Sequence, residues 1–342
     1  MGKFLKIIVK KKVECTYGEI GISNENPLLL LPEGCRVSPL LGEKLVYIGQ
    51  LDSYEKGSEI AEKLLGLEVS DSKIYRLSTK VGARAVEWEG EEDGLRTDQT
   101  EELVYGQMDG SMILTREDSW KEVKLGRIFS ASALYEENEH RNWLKESRYV
   151  AHLGHHTEFE NKMSRILDTY SDIEENLVFI KDGDRWQWNW ITAEYPKATQ
   201  ILDFYHALEH IGQFVSLLKS GKEKTELISE LSECLKVEGA SICWQKIEFL
   251  ECRTKTQKSE KQKLKTYFDN NLHRMDYPSF LKRNLLIGSG AIESAHRTVI
   301  QRRMKLSGQR WSKIGAKNML AIRTLNMSGN WNRGVNFFKY AA

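Results

Sequence analysis

Apolar residues along this chain follow two rhythms: short runs between residues 103 and 206, and a recurrence every three or four residues on either side. The runs Val104 to Asp109, Val123 to Ser130 and Tyr149 to Leu153 are strand-like, and a helix-spaced segment, Phe159 to Tyr170, follows them. Leu177 to Ile180 is a further apolar run that closes at Asp182, and Thr199 to Leu202 is another, ending near Asp203 where helical spacing resumes. The predicted order is three strands, helix, strand, helical turn, strand, helix. Upstream, Tyr54 to Leu65 places Ile60, Ala61, Leu64 and Leu65 on one helical face, Gly66 interrupts, and Ser70 to Trp88 does the same with Ile74, Leu77, Val81 and Ala85. Ser70 or Asp71 is the expected cap of that second helix, accepting a backbone N–H. Residues 207–285 are largely helical in pattern, through Leu208, Ile211, Val215 and Leu218 and then Leu227, Leu231 and Leu235.

These elements predict an α/β fold with a divided layout. Residues 1–50 form a strand-and-loop region with turn formers at Gly18, Gly21, Asn24 and Pro27. Residues 51–98 hold the helical hairpin and an acidic linker, 99–206 the first part of a core, 207–285 a helical segment, and 286–342 the last part of the core. The hairpin suits a helix-turn-helix, with Lys73 and Arg76 in the first turns of its second helix as DNA contacts. A helical hairpin is also an ordinary packing unit.

At 342 residues, with 40% hydrophobic and 29% charged side chains, the chain can bury a sizeable core in one elaborated domain or two. Its longest early apolar stretch, Leu28 to Leu31, is broken by Pro32, far short of the roughly 18 residues a membrane span needs. Five cysteines without a CxxC pair indicate neither a disulfide framework nor a zinc knuckle, and a reducing cytoplasm is expected. A formal net charge of +1 excludes a uniformly basic coat. Basic residues gather locally, from Arg253 to Lys265 and again at Arg297, Arg302, Arg303, Lys305 and Arg310. The acidic run from Glu87 to Glu102 offsets them, either as a solvated linker or as a mimic of DNA.

Candidate chemistry lies in three carboxylates. Asp109 in YGQMDG and Asp182 in LVFIKDGDRW each close an apolar run, so both are expected at strand ends, free to leave the sheet. Glu293 in GSGAIESAHRTVIQRRMKLSGQRW follows Gly288 and Gly290 and starts a segment with helical spacing through Ala295 and Val299. Hard divalent cations prefer oxygen ligands, and two of them about 4 Å apart can clamp the attacking and leaving oxygens of a phosphodiester. Asp184 stands two residues beyond Asp182 and is the weaker choice, because Asp182 directly follows the apolar run. Asp118 sits in a polar hairpin as a turn residue, and Asp203 and His206 stand three apart at a helix start, either as a cap or as an accessory site. Trp186, Trp188 and Trp190 alternate as in an extended segment packed on one side, whereas Trp311, after Arg310, is the better candidate for stacking on a base.

The phrases MDGSM, KDGDRWQW, ILDFYHALEH and, above all, GSGAIESAHRTVIQRRMKLSGQRW resemble those of Mutator-like DDE transposases, and among them the Kra-type bacterial insertion-sequence transposases. The likeness covers roughly residues 50–335 and lies in the order, character and spacing of the blocks together. It implies an RNase H-like core interrupted by an all-helical insertion, with Asp109, Asp182 and Glu293 holding two Mg²⁺ ions that Mn²⁺ could replace. It also implies an acid-x-x-His motif, matched by Asp203 and His206. The implied activity is metal-dependent cleavage and strand transfer at transposon ends and target DNA, by a homodimer or larger assembly. Arg297, Arg302, Arg303 and Lys305 are then expected at backbone phosphates. A transposase-derived DNA-binding protein without catalysis, and a metal-dependent nuclease without strand transfer, remain alternatives. No GxxxxGK[ST] is present, and GSG at Gly288 to Gly290 lacks the third glycine of a dinucleotide fingerprint.

Overall fold

A computed structural model describes residues 13–15, 18–20, 37–91, 102–138, 141–171, 173–182 and 185–332. Two short strands, β1 (Val13–Cys15) and β2 (Gly18–Ile20), pair antiparallel and precede three helices, α1 (Pro39–Gly49), α2 (Tyr54–Leu65) and α3 (Asp71–Glu91). The α1 helix corrects the expectation of strands and loops up to residue 50. Ser38 accepts the Leu41 N–H at 3.3 Å, Pro39 is pre-set for a first turn, and Leu45, Val46 and Ile48 are buried. The α2–α3 hairpin forms as read, turning at Gly66 with φ +65°. Beyond its first turns α3 packs closely on the C-terminal helix: a Cβ at Gly82 would stand 2.5 Å from Asn318 Cβ.

The central sheet is built from β3 (Val104–Thr115), β4 (Ser119–Ser130), β7 (Arg148–Leu153), β8 (Leu177–Lys181) and β9 (Thr199–Leu202) in the order β7-β4-β3-β8-β9. Strands β3, β4 and β7 run antiparallel, β8 joins β3 in parallel, and β9 joins β8 in parallel. A separate hairpin, β5 (Leu134–Asn138) with β6 (Arg141–Leu144), lies between β4 and β7 in sequence. Every residue of β8 is buried, as expected for an apolar run between two parallel neighbours. Helix α4 (His156–Tyr170) follows β7, and α5 (Arg185–Glu194) connects β8 to β9.

Two readings need correction here. Asp109 is not at a strand end: β3 continues for six residues beyond it, because the segment to Thr115 pairs with β4 down to a hairpin at Asp118. The three tryptophans are helical rather than extended, since they lie in α5, which buries Trp188 and Trp190 against the sheet.

After β9 the chain is helical: α6 (Phe204–Leu218), α7 (Gly221–Val237), α8 (Ala240–Glu248), α9 (Lys255–Asn271) and α10 (Tyr277–Lys282). These helices share one apolar cluster with the sheet, in which Leu235, Phe268 and Tyr277 join Val178 and Phe179. The Tyr277 hydroxyl also donates to the Leu202 carbonyl at 3.0 Å. The last segment comprises α11 (Gly290–Ala295), a π-helical stretch (His296–Gln301), α12 (Arg302–Met304) and α13 (Lys313–Met327). Its apolar side covers the other part of the sheet through Ile292, Val299 and Met319 against Val123 and Leu125. Among the described residues no helix is long and apolar enough to cross a membrane.

Candidate active site

The parallel seam between β3 and β8 sets the site. Gln107 on β3 pairs with Ile180 on β8; two residues on stand Asp109, still within β3, and Asp182, the first residue past the end of β8. The parallel seam thus delivers both carboxylates to the same end of the β3–β8 pair, where they line one cleft. Gln107, on the same face as Asp109, is fully buried, and its amide reaches over the seam. Its Oε1 accepts the Ile292 N–H at 3.0 Å and its Nε2 donates to the Gly288 carbonyl at 3.3 Å. Arg127 on β4 donates from Nη1 to the Ala291 carbonyl at 2.7 Å while its Nε donates to Ser147 Oγ at 3.0 Å.

The segment entering α11 is held from the other side as well. Asp203 caps α6 by accepting the His206 N–H at 2.6 Å on Oδ1, and its Oδ2 accepts the Ser289 N–H at 2.5 Å. The Phe204 N–H donates to the Ile287 carbonyl at 2.9 Å, and the Asp203 N–H to the Lys181 carbonyl at 2.8 Å. Residues 287–292 are thereby fixed to β3, β4 and the β9–α6 junction. Glu293 stands exposed in the first turn of α11.

One cleft of about 240 Å³ is lined by Asp109, Asp182, Asp203, Glu209 and Glu293, with His206 among them. The structure thus brings together all three sequence-predicted carboxylates and the Asp203–His206 pair. Asp203 acts as a cap and as a tie to Ser289, with both carboxylate oxygens engaged by backbone donors. Asp184 lies outside the described residues, as does the acidic run between residues 92 and 101.

The field in this cleft is negative. The buried Tyr267 hydroxyl makes no hydrogen bond among the described residues, and its pKa is raised by burial and then by the charges of Asp182, Asp203 and Glu209. Two nitrogen-bearing side chains, His296 and Lys181, face these carboxylates. His296, buried three residues after Glu293, places Nε2 3.1 Å from Asp109 Oδ2. Burial pushes the Asp109 carboxyl up, but contact with His296, its charge, the Gly110 N–H at 2.6 Å and the charge of Lys181 together hold it below the usual carboxylate range. Lys181 is buried, with Nζ donating to the Gln187 side chain and standing 3.3 Å from Asp182 Oδ1. That Asp182 oxygen is buried and makes no hydrogen bond among the described residues.

An all-oxygen donor set, with one buried Asp182 oxygen held, among the described residues, by the Lys181 charge alone, suits a hard divalent cation. As the side chains stand, no three of the described His, Cys, Asp and Glu groups converge on one point tightly enough to hold an ion. The carboxylates share the cleft rather than a single focus.

The residues assigned to DNA divide. Arg76, Arg297, Arg302 and Lys305 are exposed and Lys73 is half-buried. Arg303 and Trp311 are corrected. Arg303 has no exposed surface: its Nε donates to the Gly49 carbonyl at 2.8 Å, and its guanidinium lies between the rings of Tyr54 and Trp311, at 4.7 and 5.0 Å. Trp311 is buried with its indole N–H donating to the Met304 carbonyl at 3.1 Å, so its faces are taken by the protein and cannot stack on a base.

Sequence reasoning passed over Gln107, Arg127, Lys181, Glu209 and His296. Three of them carried a signal: Gln107 shares a strand face with Asp109, Lys181 adjoins Asp182, and His296 is one helical turn from Glu293.

A family model described as an uncharacterised protein family, UPF0236, matches residues 29–340. No curated protein matches the chain.

Proposed function

The chain belongs to the uncharacterised protein family UPF0236, and we propose that it is a DNA transposase of the Mutator-like DDE kind, with an RNase H-like core, a helical insertion from α6 to α10, and metal-dependent cleavage and strand transfer as its chemistry. One observation supports this reading: Asp109 on β3 and Asp182, the residue just past the end of the neighbouring parallel strand β8, line the same cleft as an exposed Glu293 from a helix. The four helices α6 to α9 and the short α10 lie between the second and third acids in sequence, where that reading puts an insertion.

Asp109, Asp182 and Glu293 are the residues that would hold two Mg²⁺ ions, or Mn²⁺ in their place. Bound there, the ions would supply Lewis acidity for a water or 3′-hydroxyl nucleophile and take up charge on the leaving oxygen. The protein's own contribution is placement. Gln107, Arg127 and Asp203 fix the backbone ahead of Glu293, His296 steadies the Asp109 carboxylate, and Lys181 offsets the like charges of Asp109 and Asp182. No protein nucleophile is required. The exposed Arg297, Arg302 and Lys305 would neutralise phosphates, and Lys73 and Arg76 on α3 would contact the transposon ends, two of which a homodimer would pair.

The test is incubation of the full chain with linear DNA bearing the element's own ends, with Mg²⁺ or with EDTA, scoring cleaved and joined products separately. Joined products that require Mg²⁺ and Glu293 support the reading. Cleavage without joining makes the protein a nuclease, and DNA binding without either product makes it a non-catalytic relative.

A further inference from the structure

A second concave surface lies away from the acidic cleft, at the far end of β3. It is a groove of about 490 Å³ between the first turn of α3 and the loop leading into α13, walled by Ser72, Tyr75, Arg116, Gln309 and Arg310, with Trp311 at its base. Arg116 is seven residues beyond Asp109, a path of about 23 Å along the strand. The wall is rigid. The Arg116 N–H donates to the Trp311 carbonyl at 2.8 Å, the Trp311 N–H donates to the Leu114 carbonyl at 3.0 Å, and Arg116 Nε reaches the Arg310 carbonyl at 3.4 Å.

Both guanidinium groups are exposed, and neither meets a carboxylate among the described residues. The acids nearby are otherwise engaged: Asp118 pairs with Lys313 and with Lys121, and Glu117 accepts the Lys313 N–H at 3.2 Å. Asp71 is the acid on the groove wall, and its Oδ1 accepts the Ser72 N–H at 2.5 Å. An independent observation concerns what lies beneath. Arg303, held between the two aromatic rings that line the groove, has terminal nitrogens that are buried and make no hydrogen bond among the described residues. Arg323 is close by, its pKa drawn down to about 10 by burial and then by the charges of Arg303 and Arg302. Two buried guanidinium groups therefore lie under the groove, offset in part by Asp52 and the Tyr54 side chain at Arg303, and a low-dielectric base carries the remaining positive field to the surface.

We infer that this groove binds the sugar-phosphate backbone of DNA, with Arg116 and Arg310 on phosphates, apart from the cleft that performs the chemistry. The inference rests on the reading of the chain as a DNA enzyme, yet it concerns binding alone and needs no metal. Arg310 stands in the basic run read from the sequence and Arg116 does not; the two take the place of Arg303 and Trp311, which the fold buries.

The test is a fluorescence-anisotropy titration of a duplex of about 25 base pairs with the full chain in EDTA, over a salt series. Arg116→Ala with Arg310→Ala should weaken binding about tenfold and flatten the slope of log affinity against log salt by about two, one for each phosphate no longer neutralised. Arg116→Lys with Arg310→Lys should restore the slope. An unchanged affinity and slope in the alanine pair, with its melting temperature preserved, would overturn the inference, and so would a lysine pair that binds no better than the alanine pair. A flattened slope in a protein that never yields products would keep the groove and remove the transposase reading. Products from a protein whose slope stays fixed would do the reverse.

Discussion

Residues 288–296 and 302–311 belong to one uninterrupted stretch of sequence, and both halves carry the charged residues expected at a phosphoryl-transfer site. The first half meets that expectation in position: Glu293 is exposed in the acidic cleft, and the backbone before it is tied to three separate parts of the core. The second half turns inward at Arg303 and Trp311, which join the C-terminal segment to Gly49 and Tyr54 near the N-terminus. Arg323 adds to the same junction, donating to the Gln50, Thr298 and Val299 carbonyls. The π-helical stretch between the halves explains the divergence. A turn closed from i to i+5 carries an extra residue, so side chains after it no longer keep the angular phase that α-helical counting from Glu293 would give them. A charged residue in a recognisable phrase can thus serve the chemistry or the fold, and its burial and partners decide which.

The sharpest way to break this comparison is to remove charge from each half. Asp109→Asn, Asp182→Asn and Glu293→Gln should each lower cleavage and joining by about a thousandfold or more while thermal melting and DNA binding in EDTA change little, since the amide keeps shape and loses ligand charge. Loss of folding in all three, seen by melting, would make the cleft a structural feature. Arg303→Ala should show the opposite signature. It removes the hydrogen bond to Gly49 and leaves a cavity between two rings, which should cost about 2 to 4 kcal/mol in denaturant unfolding. Arg303→Met should recover much of that, because a well-packed apolar chain avoids the desolvation of a buried cation. A methionine variant as unstable as the alanine one would show that the charge itself is needed there.

Parts of the sheet could be read from the sequence because its strands carry short apolar runs, unbroken in β8 from Leu177 to Ile180, and a glycine in the left-handed region marks the α2–α3 turn. The order Asp109, Asp182, Glu293 came with the resemblance of the phrases around them, not with the apolar pattern. The tryptophans of α5 misled because a period of two over five residues does not separate strand from helix when the segment is buried. Helix α1 was missed because Leu40, Leu41, Leu45, Val46 and Ile48 follow a glycine- and proline-rich approach that reads as loop, while the cap that starts it is a single serine. The role of Arg303 depends on contacts with Gly49 and Tyr54, some 250 residues away along the chain.

A smaller effect is expected at Asp203, which stands between the two halves in character, lining the cleft while spending both oxygens on backbone donors. Asp203→Asn keeps one acceptor oxygen and replaces the other with a donor that faces the Ser289 N–H. The loss should be about 1 kcal/mol of stability, the usual size for a helix cap, with catalysis reduced about tenfold through displacement of the segment before Glu293. Full activity in this variant, measured as product formed at saturating Mg²⁺, would reduce Asp203 to a cap alone. A thousandfold loss with unchanged melting would instead place it among the ligands.

The smallest expected effect separates two neighbours. Arg302 is exposed and Arg303 is buried, although they adjoin in sequence and share the same expected place on the phosphate backbone. Every phosphate that a side chain ceases to neutralise lowers the salt slope by about 0.9. Arg302→Ala should therefore flatten log affinity against log salt by about that amount, weaken binding to specific and random DNA alike, and leave the melting temperature where it was. Arg303→Met should leave the slope unchanged, because a guanidinium held between Tyr54 and Trp311 cannot reach a phosphate. If both substitutions flatten the slope equally, the junction must open when DNA binds, and the division between the two halves of this segment would hold only in the free protein. If neither does, Arg302 belongs with its neighbour on the structural side, and the phosphate contacts of this face must come from Arg297 and Lys305.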